Sequence, residues 1–457
     1  MAQDTLIGLE VHVQLNTTTK LFCSCPTLAD EPNTAICPTC LGHPGSKPVC
    51  NATALEYGAK LSLALGCSIA PTVIFSRKTY FYPDLVKNFQ ITQHEQPLGT
   101  HGQIVLDDGH VVRIRRVHLE EDPGALIREP GSVLIDYNRS GIPLCEIVTE
   151  PDMHNPAQAR EFLKKLANIL GYLGVFDENC GIIKADANVS VKVKNYTRVE
   201  IKNITGFKEI ERALTYEILR QKEQGVTSET RGWAAEQGIT YSMRSKESEE
   251  DYGYIVEPDL PLFEISDEWA REVQASIPEL GEARAKRWAS EWSVSEEDAV
   301  IIAADLSVAD LFERVASHVD PILASRWFRR EVLRMLNDSR KTLSETAFDE
   351  EGLVELLELL ESKTITDRIG QRIIEQLAEK KISPNAYVKE NNLAAVSDEG
   401  ALKKICEEVI AEQPKAAQDY QKGEQKSLQF LIGQVMRKTK GKATPQVVRE
   451  IMLSLLE

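Results

Sequence analysis

Two short cysteine elbows, Cys23-Ser24-Cys25 and Cys37-Pro38-Thr39-Cys40, gather four sulfur ligands near the start of the chain. Thiolates carried on two turns at these spacings can close a tetrahedral site around a soft cation. The pattern favours structural zinc over its two rivals, buried free thiols and a redox pair. Four sulfurs leave no open coordination position, so such a metal holds structure and the chemistry lies elsewhere. His43, in the turn directly after the second elbow, reads as a turn residue in preference to an alternate ligand.

Ahead of the elbows, Glu10 and His12 alternate with Leu9, Val11 and Val13. In a strand both polar side chains face one way while the apolar ones enter a core. The pair suits metal binding or acid/base work, although an ordinary exposed strand face also carries such residues. Further acids sit on other strand-like runs: Glu120, Glu121 and Asp122 after His118, then Glu146, Glu150, Asp186 and Glu200. Hard oxygen ligands drawn from several strands suit Mg²⁺. Phosphoryl transfer would set them beside cations, for which Arg77, Lys78, Lys184, Lys202 and Lys208 are available. There is no GxxxxGK(S/T) loop and no kinase-type glycine loop, which argues against a standard nucleotide fold. The run from Ser76 to Asp84, with Tyr80 and Tyr82, combines charge and aromatic surface. It can stack a base or an aminoacyl-adenosine end, or it can edge a core. No GxSxG motif is present, so any ammonia used here comes from another polypeptide.

The elements that must position these residues are legible in the hydrophobic pattern. Period-two runs at 7–15, 102–122, 132–150, 185–195 and 197–204 read as strands, with helices near 51–66, 156–171 and 207–224. This order predicts an α+β body with a mixed or antiparallel sheet, in place of regular strand–helix alternation. After about residue 268 the texture becomes helical, ending in two helices around a turn with Thr444 and Pro445 at the start of the second. Three parts are expected: a cradle-like body at 1–265, a helical domain at 266–365 and a small helical tail domain at 366–457.

The 457 residues carry a formal charge of -17, which disfavours non-specific coating of nucleic acid. The tail runs the other way. From residue 422 onward, Lys422, Lys426, Arg437, Lys438, Lys440, Lys442 and Arg449 face only Glu424, Glu450 and Glu457. No apolar run reaches membrane-spanning length and the start has no basic n-region, so a cytoplasmic protein with no membrane partner is expected.

Several long stretches carry a family resemblance: IGLEVHVQLNTTTKLFCSC, NTAICPTCLGHPGSKPVCN, SRKTYFYPDLVKNFQITQ, HLEEDPG, LIDYNRSGIPLCEIVTEPD, KADANVSVK, VEIKNITGFKEIERAL and FLIGQVMRKTKGKATP. Colinear from residue 7 to the tail, they resemble the B subunits of aspartyl/glutamyl-tRNA amidotransferases. The resemblance implies ATP- and Mg²⁺-dependent phosphorylation of the side-chain carboxylate of Glu-tRNA(Gln) or Asp-tRNA(Asn). Ammonia from a partner amidase A subunit would then displace the phosphate, with a small C subunit completing the assembly. By motif, Glu10, His12, Glu121, Glu146, Asp186 and Glu200 correspond to the metal and phosphate environment. Cys23, Cys25, Cys37 and Cys40 correspond to the zinc cysteines. Arg77, Lys78, Tyr80, Tyr82, Lys184 and Lys202 are the candidates for binding nucleotide or substrate. Lys426, Arg437, Lys438, Lys440 and Lys442 are those for tRNA.

Two departures stand out. In DYGYIVEPDLP, at 251–261, Gly253 occupies a position where bacterial relatives usually carry arginine, and Cys180 in DENCG has no evident role. The rival archaeal E-type subunit carries an inserted domain for which this length leaves little room. A noncatalytic zinc-stabilised RNA-binding scaffold explains the thiols and the basic tail but not the acid-and-histidine strand faces.

Overall fold

The computed structural model describes residues 4–176, 183–245, 252–395, 399–421, 423–439 and 441–456. Cys180, Asp251, Lys422, Lys440 and Glu457 lie outside the described residues. The chain divides into two compact units, Met1–Leu280 and Gly281–Glu457.

The first unit is built on a nine-stranded sheet. Its order is Ile239–Ser245, Glu229–Ala234, Val199–Thr205, Ile183–Val191, Thr5–Gln14, Pro143–Thr149, Val111–Glu121, Gly99–Val105 and Ser68–Ile69. Every pairing is antiparallel except that between Val199–Thr205 and Glu229–Ala234, so the sheet is mixed. The central strand, Thr5–Gln14, explains the layering. Ile7, Leu9, Val11 and Val13 are at most 1% exposed and enter the core, whereas Glu10, His12 and Gln14 face away from it. The helices Ala52–Ala64, Pro156–Leu173 and Phe207–Glu223 contribute Leu61, Phe162, Leu166, Leu170, Ile210 and Leu214 to that same core. Burying each such side chain is worth about 1.5–3 kcal/mol, which makes this face the main source of stability.

Local signals set where the helices begin and end. Asn155 accepts from the Gln158 backbone N–H and Pro156 opens the helix, while Gly174, at φ 65°, closes it in the left-handed conformation. Asn51 caps the first helix through the N–H groups of Thr53 and Ala54. Gly58 lets that helix approach the sheet closely, since a Cβ there would meet Leu98 at 2.9 Å and Leu119 at 3.0 Å. The helix Asp267–Ala275 belongs to this unit, and Val273 packs in its core.

A small three-stranded sheet, Gly253–Val256, Ser76–Thr79 and Phe89–Thr92, supplies further side chains to the polar side. The second unit is helical throughout its described residues. Its last four helices, Glu399–Glu412, Pro414–Gln421, Gln425–Lys438 and Pro445–Leu456, share a core of Leu402, Val409, Leu428, Leu431, Val448 and Met452. The class is α+β, as the strand and helix pattern predicts. Among the described residues no helix is long and apolar enough to cross a membrane.

Candidate active site

Register aligns the polar face into a row. His12 lies opposite Lys184 on one side and Glu146 on the other, and Glu146 in turn lies opposite His118. One step along, Glu10 faces Asp186. These side chains line a cleft of about 820 Å³ together with Glu120, Glu200, Lys78 and Lys202.

His12 Nδ1 stands 3.2 Å from Glu120 Oε1, and His118 Nε2 stands 3.2 Å from Glu146 Oε2. His12, Glu120 and Glu146 each offer one ligand atom, all within 4.8 Å of one another. Burial works against a charged His12, but the Glu120 hydrogen bond and the charges of Glu146, Glu120 and Asp186 outweigh it and raise His12 to about 10. Burial also opposes the charge on Glu146, yet His118, His12 and Lys78 hold that carboxyl below its usual range. Glu10 moves upward, through burial and then the charges of Glu146, Glu200 and Asp186, with Lys202 opposing. Acids that raise one another in this way are short of positive charge. Oxygen donors with one imidazole fit Mg²⁺, and His12, Glu120 and Glu146 would hold it, the ion taking the place of the His12 proton.

Around this group lie cations and rings. Lys202 Nζ is 3.1 Å from Asp186 and 3.7 Å from Glu200. Tyr80 packs edge-on against Tyr252 at 5.9 Å, and His94 stacks on Tyr254 at 3.9 Å. Lys78 sits 4.8 Å from the centre of the Tyr252 ring.

Cys23 and Cys40 line a second cavity of about 220 Å³ that shares no lining residue with the cleft. Sγ atoms of Cys23, Cys25, Cys37 and Cys40 lie within 4.8 Å of one another, and Cys37 and Cys40 are 3.9 Å apart. A tetrahedron with Zn–S bonds of about 2.3 Å needs sulfurs about 3.8 Å apart, so the set fits zinc. The Cys37 N–H donates to Cys40 Sγ at 3.1 Å. Cys40 is held well below the usual thiol range, first by its hydrogen bond with Cys23, with burial opposing and Lys20 assisting. Lys20 is fully buried, donating to Ala35 O at 2.8 Å and Tyr137 O at 3.3 Å, with Cys40 Sγ at 3.7 Å. A buried ammonium calls for an anion, and the thiolate supplies it. His43 stays outside the sulfur group, exposed in its turn.

Strands that separate the two cavities alternate between them, and this sorts the sequence candidates. Glu10, His12, Glu146, Lys78, Tyr80, Lys184, Asp186, Glu200 and Lys202 all line the cleft. Glu121 and Arg77 do not: they face the cysteine cavity. The Glu121 carboxylate pairs with Lys87 and accepts from the Ile91 N–H at 2.8 Å. Arg77 makes a two-point contact with Glu257 at 2.7 and 2.8 Å. Tyr82 is exposed and lines neither cavity. Gly253 faces away from the cleft that its neighbours Tyr252 and Tyr254 line, and a Cβ there would meet Thr79 at an ordinary 3.6 Å. In the second unit Lys426 and Arg437 are exposed and Lys442 is half-buried, while Lys438 pairs with Glu408 and Glu412.

Sequence reasoning counted Glu120 among the strand acids but chose Glu121 from that run for the site, and it passed over His118, His94 and Gln93. Parity was the available signal for that choice: counting by twos from His118 reaches Glu120, not Glu121.

With this geometry in place, comparison with known proteins decides the family. Residues 5–271 match the model of the GatB/GatE catalytic domain, and residues 310–456 match that of the GatB domain. The chain belongs to the GatB family. It is 41% identical to the B subunit of the aspartyl/glutamyl-tRNA(Asn/Gln) amidotransferase of Carboxydothermus hydrogenoformans, over 98% of each chain. Counterparts of the same name from Caldanaerobacter subterraneus and Thermotoga maritima are each 42% identical, covering 99% of this chain and 99% and 98% of their own. GatB membership makes the chain an amidotransferase subunit, an enzyme component and not a bare scaffold.

Proposed function

We propose that this chain activates the side-chain carboxylate of Glu-tRNA(Gln), Asp-tRNA(Asn) or both with ATP, and then presents the acyl phosphate to ammonia. The observation that carries this reading is the cluster of His12, Glu120 and Glu146 in a cleft that also holds Lys78, Lys184 and Lys202. Carboxylate is a poor acyl donor. Its oxygen attacks the γ-phosphorus of ATP, ADP departs, ammonia adds to the acyl carbon, and phosphate leaves as the nitrogen loses a proton. Bound Mg²⁺ would offset charge on the transferring oxygens.

The chain's own groups do the rest. Glu120 and Glu146 orient His12 and His118 through the 3.2 Å contacts. Lys78, Lys184 and Lys202 offset phosphate charge, and the Tyr80, Tyr252, Tyr254 and His94 rings offer stacking surface for adenine or for the terminal adenosine of tRNA. Zinc held by Cys23, Cys25, Cys37 and Cys40 would brace the far side of the shared strands. An amidase A subunit would supply ammonia, a small C subunit would complete the assembly, and Lys426, Arg437 and Lys442 would meet the tRNA backbone. The names of the relatives support the tRNA substrates and the multi-subunit assembly.

The test supplies Glu-tRNA or Asp-tRNA, ATP, Mg²⁺ and free ammonia to the assembled enzyme. Wild type should form amidated tRNA and ADP together, whereas Glu10→Ala and Glu146→Ala should lose product while retaining tRNA binding. Turnover without ATP consumption would sink the reading.

A further inference from the structure

Gln93 and Arg116 line the cleft, and among the described residues Gln93 Nε2 and Arg116 Nε are buried donors without a protein partner. Gln93 is 1% exposed, and its chemistry fixes its orientation. Its Oε1 accepts from the Leu119 backbone N–H at 2.8 Å, which requires oxygen at that position and turns the NH₂ group the other way. Leu119 lies between His118 and Glu120, so the carboxamide is clamped to the strand that carries those two cleft residues. Arg116 reaches the same cleft by alternation with His118 and Glu120, and the register shift between Val148 and Thr149 brings Arg115 to the lining beside it.

Leaving an amide donor buried and unpaired forfeits its hydration with nothing in return, and folded chains keep such a group where a ligand completes it. The core alternative, an apolar side chain of the same length, would avoid the cost but could not anchor the Leu119 N–H. A donor that accepts this cost beside carboxylates cannot be there for a cation. It is complementary to an acceptor-only group, and the reactants of the proposed reaction offer two: the substrate carboxylate and the terminal phosphate.

We propose that Gln93 Nε2 donates a hydrogen bond to an anionic oxygen of the bound reactants, with Arg116 beside it in the same role. The assignment rests on the carboxylate-activation reading above. Donors aimed at developing negative charge typically contribute about 10²–10³-fold in rate.

Gln93→Glu and Gln93→Leu provide the test in the assembled enzyme. Glutamate keeps an oxygen for the Leu119 N–H but turns the donor into a charged acceptor, whereas leucine removes both ends. Gln93→Glu should stay folded and retain its zinc, yet lose about 10²–10³-fold in amidation with free ammonia. A rise in KM for aminoacyl-tRNA with ATP kinetics unchanged identifies the carboxylate as the bound oxygen. The reverse pattern identifies the phosphate. Gln93→Leu should lose the same rate together with thermal stability.

Wild-type kinetics in well-folded Gln93→Glu would overturn the assignment. So would a loss that extra Mg²⁺ restores, since that assigns the effect to added charge at the cation site. Wild type inactive in every arm would remove the functional reading and Gln93 with it, while active wild type with a silent variant removes Gln93 alone.

Discussion

At the scale of single residues, the two neighbours Glu120 and Glu121 do different work because a strand sends them to opposite sides. Glu120→Gln removes the negative charge offered to a cation and to His12, so it should cost turnover and Mg²⁺ response far more than thermal stability. Glu121→Gln strands Lys87, whose side chain is 7% exposed, and breaking one half of a buried pair costs about 3–5 kcal/mol. Melting curves and ammonia-dependent turnover of the two variants, read side by side, check this. Equal melting temperatures would contradict it. Asp122 supplies a pH dependence. Burial pushes its carboxyl up to about 6, against the pull of Arg139, Lys184 and His12. The folded state therefore holds this proton to higher pH than the unfolded chain, whose carboxyl titrates near about 4. Its favourable contribution is complete below about pH 4 and disappears as pH rises through about 6, a change on the order of 3 kcal/mol. Asp122→Asn should be progressively more stable than wild type across that window in thermal melts of metal-free protein.

Elements explain why the cleft and the cysteine group stay apart. Ser76–Thr79, Phe89–Thr92 and the end of Val111–Glu121 form a partition with Lys78, Gln90, Thr92 and Glu120 on one side. Arg77, Phe89, Ile91 and Glu121 are on the other. Removing zinc should therefore loosen the wall without removing any cleft ligand. Cys37→Ser, or chelation of wild type, should release zinc, lower the melting temperature and expose residues 20–50 to hydrogen exchange. Residual Mg²⁺-dependent turnover should persist below the new transition. Full zinc content in Cys37→Ser would show that another residue completes the set.

For the molecule as a whole, the acidic total charge and the basic tail invite a test by truncation, but the fold advises against it. Leu428, Leu431, Val435, Val448 and Met452 fill the core shared by the last four helices, so deletion would unfold what remains of it. Neutralising the surface is cleaner. Lys426→Gln with Arg437→Gln and Lys442→Gln should weaken tRNA binding and make its salt dependence shallower, by up to about 0.7–0.9 in log–log slope for each phosphate no longer neutralised. Amidation at saturating tRNA should hold. An unchanged affinity and slope would remove the tail from the tRNA interface.

From the residues alone came the class of the fold, the four sulfur ligands and the polar row on the first strand. Each is local: period-two alternation sends Glu10 and His12 away from the core, caps and prolines end the helices, and paired cysteine elbows bring their own ligands together. Colinear motifs carried the family as well, and matching over nearly the whole chain bears this out. Parity from His118 already favoured Glu120 over Glu121, but it took the folded arrangement to bring that acid to His12, through the pairing of His12 with Glu146 and of Glu146 with His118 across two interfaces. Folding also took Arg77 out of the cleft and brought Tyr252, Tyr254 and His94 into it. Gln93 was hidden for the same reason. A glutamine's meaning lies in which of its two ends is already bonded, and that is a property of neighbours far away in the chain.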